Sequence, residues 1–172
     1  MSLGKKLGSS YDEAKDKIKY RKISIQFEDA SFDLKVRIPF KKEMEQIINK
    51  ISSPSQEAVD KIYERLTATI KKSLLDNGEE FIEALNSEKE VIKVTDNDII
   101  LDGTSFRQVA TLTAMWETRV EEYFHLLQSE SGEPITESFE EINEEFPEQV
   151  TKTILEAIEQ AVKPDYKTIK KN

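Results

Sequence analysis

Between Ile23 and Ile38 apolar residues fall on every second position, and after Pro39 that spacing gives way to a helical one. Ile23, Ile25 and Phe27 alternate with Ser24, Gln26 and Glu28. After Asp29-Ala30, Phe32, Leu34, Val36 and Ile38 alternate with Asp33, Lys35 and Arg37. A period of two puts each apolar set on one face of a pleated strand, so the two runs predict an antiparallel hairpin joined by a short polar turn. A chain that opens this way and then turns helical is committed to a mixed fold.

The helical part is read from stripes and punctuation. A short polar helix is expected from Ser10 to about Ile18, with Ser10 as N-cap. Phe40, Met44, Ile47, Ile48 and Ile51 give one apolar stripe. Ser53, Pro54 and Gln56 have the order of a capping box with proline at N1, ahead of a stripe of Val59, Ile62, Leu66, Ile70 and Leu74. Asp76-Asn77-Gly78 predicts a stop, and a short helix follows from Glu79 to Asn86. Val91–Val94 and Ile99–Leu101 flank a polar turn and predict a second, smaller hairpin ending at Asp102-Gly103. Thr104 or Ser105 is then expected to cap the longest helix, to about Gln128, with Val109, Leu112, Trp116, Val120, Tyr123 and Leu127 inward. After the loop Ser129–Pro134 come an acidic helix with Phe139, Ile142 and Phe146 inward, and a last helix with Val150, Ile154, Ile158 and Val162 on one face. The expected fold is α+β, a mostly helical single domain with an N-terminal β-hairpin and a second small hairpin before a long central helix. Residues 1–19 read as an arm, 20–163 as the domain and 164–172 as a basic flexible tail.

Composition narrows the function classes. The 172 residues include no cysteine and one histidine, His125, which removes disulfides, thiolate metal sites and histidine-rich zinc sites. Five glycines leave little room for phosphate-cradling loops, and no Gly-x-x-x-x-Gly-Lys, Gly-x-Gly-x-x-Gly or Gly-x-Ser-x-Gly string occurs. Glu122-x-x-His125 resembles half of a di-iron motif, but the second histidine it needs is missing. Asp96-Asn97-Asp98 reads as a turn, because apolar Ile100 and Leu101 stand where a calcium loop needs a ligand and a glycine. No stretch has the roughly 20 apolar residues of a membrane span, and residues 1–8 lack the apolar segment of a secretory signal. No enzyme, cofactor or metal site is expected. Nor is a nucleic-acid or membrane partner, since the lysines are scattered among carboxylates.

The formal net charge of -9 is unevenly spread. Ten glutamates and no Lys, Arg or Asp lie between Val120 and Thr151, whereas the first fifty residues hold twelve basic and eight acidic groups. The ordinary account of an acidic helix is a solvated face. Basic ends beside an acidic shoulder also favour self-association or a basic partner, by steering encounter.

Several strings, taken in order, resemble the tail assembly chaperones of long-tailed bacteriophages. They are the hairpin Ile23–Phe27 and Phe32–Pro39 followed by Lys41-Lys-Glu-Met-Glu45; Val91–Gly103 leading into Ser105–Ala110, with Glu117-x-Arg119 and Phe124–Leu127; and Ile135-Thr136, Phe139–Pro147 and Pro164-Asp-Tyr166. The resemblance covers most of the chain. It implies a non-catalytic late protein that keeps the tape measure protein soluble in the host cell cytoplasm while tail-tube subunits assemble, and that is absent from the finished particle. It also implies a longer, frameshifted form that recruits tube protein. Lys170-Lys171-Asn172 is encodable by AAA-AAA-AAC, which contains a slippery heptamer; AAG at codon 171 would remove it. The partners implied by the resemblance are the tape measure protein, tube protein and further copies of the chain. The residues expected to bind protein are Phe32, Leu34 and Val36 on the hairpin, whose edge a partner strand could extend; Glu137, Glu140, Glu141, Glu144 and Glu145 on the acidic segment; and Tyr166, Lys170 and Lys171 in the tail. The rival expectation is a structural tail-completion or connector protein, which would be found in purified particles.

Overall fold

A computed structural model describes residues 3–87 and 89–163. The expected tail, with Tyr166, Lys170 and Lys171, lies outside the described residues. The fold is α+β and mostly helical, with the N-terminal hairpin and a long central helix in place. It contains two compact units. One combines the chain up to Ile48 with the chain from Arg119 on; the other is Asn49–Thr118, inserted in sequence between them.

In the discontinuous unit, α1 (Leu3–Leu7) and α2 (Ser9–Lys19) precede β1 (Tyr20–Phe27) and β2 (Ala30–Arg37). Gly8, at φ 90°, caps α2 in place of the expected Ser10, which is inside the helix. β1 and β2 pair antiparallel with Ile23 opposite Leu34 and Ile25 opposite Phe32. The loop between them is Glu28-Asp29, and Glu28 takes a φ of 37°. β6 (Leu127–Gln128) adds to the far side of β2 through Lys35 and Val36, giving the strand order β1-β2-β6. α6 (Phe139–Glu145) and α7 (Glu148–Val162) complete the unit, and α7 packs on β1 and β2. Ile25, Val36, Ile154, Leu155 and Ile158 are each at most 2% exposed, so one strand face and one helix face make the core. Arg21 reaches from β1 to donate a 2.5 Å hydrogen bond to the Ala161 carbonyl. It supplies the cation that the last turn of α7 lacks in its own sequence.

α3 (Lys41–Ser52) follows the hairpin. Only Ile47 of its stripe is buried; Phe40 and Ile48 are exposed. Arg37 grips Glu43 through two hydrogen bonds, at 2.8 and 2.5 Å. The guanidinium holds the Glu43 carboxyl below its ordinary range, with partial burial opposing. A depressed folded pKa stabilises above the unfolded carboxylate value near 4.5 and is lost as pH falls through the folded value. Glu43→Gln should therefore cost about 0.5–1 kcal/mol at pH 7, with the gap from the parent closing below pH ~4. Urea midpoints measured between pH 7 and 3 check this.

In the inserted unit, α4 (Gln56–Leu85) is capped by Ser55, whose side chain accepts from the Ala58 amide, and not by Ser53. The expected stop is present as a break inside α4: Gly78 sits at φ 51°, ψ −128°. α5 (Phe106–Phe124) begins in this unit, and Val59, Ile62, Tyr63, Ala110 and Ala114 form a shared cluster with Leu66 and Phe106 against it. α5 ends four residues earlier than expected, and α4 is the longest helix. Leu112, placed inward by the stripe, is exposed, because the small side chains of Ala110 and Ala114 make the close contact.

The second hairpin is a three-stranded sheet, β3 (Ile92–Val94), β4 (Ile99–Leu101) and β5 (Thr104–Ser105). Asp102 and Gly103, at φ 47° and 78°, form its second turn. Asp-Gly suits a two-residue hairpin turn with two positive φ values. Asn86 holds the start of this sheet: its Oδ1 accepts from the Val91 and Ile92 amides at 2.7 and 2.9 Å, and its Nδ2 donates to the Ile92 carbonyl. Asn86→Ala should cost about 1–3 kcal/mol, since it orphans part-buried amides. Hydrogen exchange at Val91 and Ile92 should speed up before that of α5.

Candidate protein-binding groove

In the discontinuous unit the hairpin, β6 and α6 enclose a groove of about 640 Å³. That size lies in the range of real ligand sites. Its apolar surface comes from Phe32 and Leu34 on β2, Phe124 and Leu127 beyond them, Ile142 on α6 and Phe146 just after it. The Phe124 and Phe146 rings meet tilted, centroids 6.3 Å apart.

The position of α6 is over-determined. Ser138 and Glu141 form a capping box: Ser138 Oγ accepts from the Glu141 amide at 3.3 Å, and the Glu141 carboxylate accepts from the Ser138 amide at 2.7 Å. Glu121 of α5 accepts from the Phe139 amide at 3.0 Å. His125 Nε2 lies 2.9 Å from the Glu137 carbonyl. The lone histidine thus has a structural partner one residue before the capping box.

A helix so placed sends residues four apart along one side. Glu141 and Glu145 line the groove beside Ile142 and Phe146, together with Glu137 and Glu130. Asp33 and Lys35 also line it. Lys22 pairs with Asp33 at 2.6 Å and holds its carboxyl below the ordinary range, together with the Ser24 hydroxyl. The Lys35 ammonium sits 4.3 Å from the Tyr20 ring centroid. The four glutamates therefore set the sign of the rim.

Of the residues expected to bind protein, the groove gathers Phe32, Leu34, Glu137, Glu141 and Glu145. Val36 differs from that expectation: at 0% exposure, with its strand paired to β1 and β6, its side chain is core. Glu140 and Glu144 are exposed on α6 but do not line the groove. Glu130, Phe124, Leu127, Ile135 and Ile154 belong to the groove without having been expected there. The signal for Glu130 is its place in the same acidic run, within the Ser/Gly/Pro loop Ser129–Pro134 that leads toward α6.

Other large apolar residues exposed in this unit are Leu3, Leu7 and Ile18 on the first two helices, and Phe40 and Ile48 around α3. Among the described residues no group of three or more acidic or histidine side chains is arranged to hold a metal ion, and no helix is long and apolar enough to cross a membrane. Compared with protein-family models, curated proteins and solved structures, the chain matches none.

Proposed function

We infer that this chain is a non-catalytic binding protein that shelters an amphipathic, basic segment of another polypeptide in the groove beside β2. The single observation that carries the reading is the groove itself: aromatic and aliphatic walls under a rim of four glutamates. Apolar walls supply the free energy of burial, and the rim selects the sign of the partner. Both halves of that description suit a client that is insoluble alone.

With the resemblance of the sequence to phage tail assembly chaperones, the client is the tape measure protein, held soluble in the host cell cytoplasm until tube subunits replace the chaperone. A longer frameshifted form would bring the tube protein, and several copies of the chain would line one client. Exposed Leu3 and Leu7 on α1 and Ile18 on α2 offer further apolar contact for such an array.

Co-expression with the large helical product of the neighbouring gene tests the reading. The expected result is a soluble complex that is lost when Glu130 and Glu145 are both changed to lysine. Equal solubility of the large product with and without this chain would refute it.

A further inference from the structure

The shape of the groove says how its occupant is held. Side chains of a strand alternate between two faces, so a cavity against a face is lined by every second residue. Here Phe32, Asp33, Leu34 and Lys35 line it in succession, which places the cavity along the edge of β2. That edge is only partly used. β6 pairs at Lys35 and Val36, and then the chain leaves the sheet in the turn Ser129–Gly132, closed by the Gly132 amide on the Ser129 carbonyl at 3.0 Å.

The direction of the free edge follows from one hydrogen bond. The Arg37 amide donates to the Leu126 carbonyl at 2.8 Å, so the backbone of Arg37 faces β6. Backbone groups of an antiparallel strand alternate sides, so Lys35, Asp33 and Ser31 face the same way. Lys35 is opposite Gln128, while Asp33 and Ser31 have no strand opposite them on that side among the described residues. Their donors and acceptors point along the groove.

We propose that the groove is a strand slot: a partner segment in extended conformation, alternating apolar with Lys or Arg residues, adds to β2 at Ser31 and Asp33 and continues the line of β6. Its apolar side chains drop onto Phe124, Leu127, Ile142 and Phe146, and its cations meet Glu130, Glu141 and Glu145. The assignment rests on the protein-binding reading above and adds to it the conformation of the occupant. Charge complementarity selects a basic partner segment, because four glutamates outnumber Lys35 among the lining residues and Asp33 is paired with Lys22. Main-chain pairing gives such a site affinity with little demand on sequence, and the walls read alternate side chains.

The test uses the full chain and the blocked peptide Lys-Val-Lys-Ile-Lys-Val-Lys, titrated at low salt by calorimetry, with amide exchange read at Ser31 and Asp33. Binding should slow exchange at both amides. Two N-methylated versions, on odd or on even positions, separate the mechanisms without touching the protein. The version that blocks the edge facing β2 should bind more than about tenfold more weakly, and the other within about twofold of the parent. Ser31→Pro, which removes one edge donor while leaving the β1 side paired, should weaken the parent peptide by a similar factor. If both N-methylated peptides bind like the parent, or a Lys/Leu amphipathic helix binds without protecting Ser31 and Asp33, strand addition is wrong while groove binding stands. If neither kind of peptide binds, the protein-binding reading fails together with it. Protection of Ser31 and Asp33 that rises with protein concentration alone would put a second copy in the slot and overturn the basic-partner assignment.

Discussion

Ile158→Ala is expected to lower the unfolding free energy by about 2–5 kcal/mol, a large part of the 5–15 kcal/mol typical of a folded domain. The residue is 0% exposed on the face of α7 that packs against β1 and β2. Removing its outer carbons loses their transfer free energy and leaves a void that the paired strands cannot collapse to fill. Urea denaturation followed by circular dichroism measures the loss; a fall of less than about 1 kcal/mol would show that α7 is not packed on the sheet as described. Ile158 is not a groove residue, whereas Ile154, one turn earlier, is both 1% exposed and part of the groove. The folded fraction of Ile158→Ala should thus bind peptide as the parent does. Ile154→Ala should lose stability and binding together. The contrast separates damage to the fold from damage to the site.

The same helix illustrates what the sequence made legible. Its apolar residues recur at helical spacing between two prolines, and Ile154 and Ile158 of the expected stripe are buried, while Leu155 joins them and Val150 and Val162 stay half-buried. The hairpin was equally plain, because period two followed by Pro39 leaves no competing pattern. Failures gather where two short-range signals compete. Ser53 and Ser55 both precede α4, and only geometry decides that Ser55 reaches the Ala58 amide. Asp102-Gly103 fitted a helix approach as well as a hairpin turn, and β5 went unseen because two residues carry no periodicity. The helical stripe through Leu127 was misleading for a different reason. Leu127 stands at helical spacing from Tyr123, but the edge of β2 offers its backbone a partner, and tertiary pairing overrides the local pattern. That one departure makes the groove, since β6 ends α5 and begins the loop that carries Glu130. No reading of composition brings Glu130 and Glu145 to one groove; the turn after β6 carries the first there, and the capping box of Ser138 and Glu141 with the contact from Glu121 holds the helix that carries the second. Even so, five of the groove residues were visible in outline as an alternating strand and an acidic run, because each belongs to a strongly patterned segment.

Charge reversal at the rim should have the largest effect on binding. Glu130 is on an exposed loop and Glu145 is the last residue of α6, so changing both to lysine leaves the capping box untouched. A lysine at the end of a helix is also favoured by the helix dipole, so folding should be unchanged within about 0.5 kcal/mol. Each reversal replaces an attraction to a basic partner with a repulsion, together costing about 1.5–3 kcal/mol at the exposed rim, or roughly ten- to a hundredfold in affinity. Association should slow more than dissociation speeds up, because rim charges act mainly on encounter. Added salt should narrow the gap between parent and variant, since the Debye length falls from about 10 Å at 0.1 M to about 3 Å at 1 M. Phe146→Ala should behave oppositely. It strips an apolar wall and the ring contact with Phe124, so its loss of affinity should persist at high salt and be felt in the dissociation rate. Stopped-flow binding of the basic peptide at two salt concentrations distinguishes the two signatures. A double reversal that binds as the parent does at low salt would mean that the glutamates only keep the helix solvated, and that the groove selects its partner by shape alone.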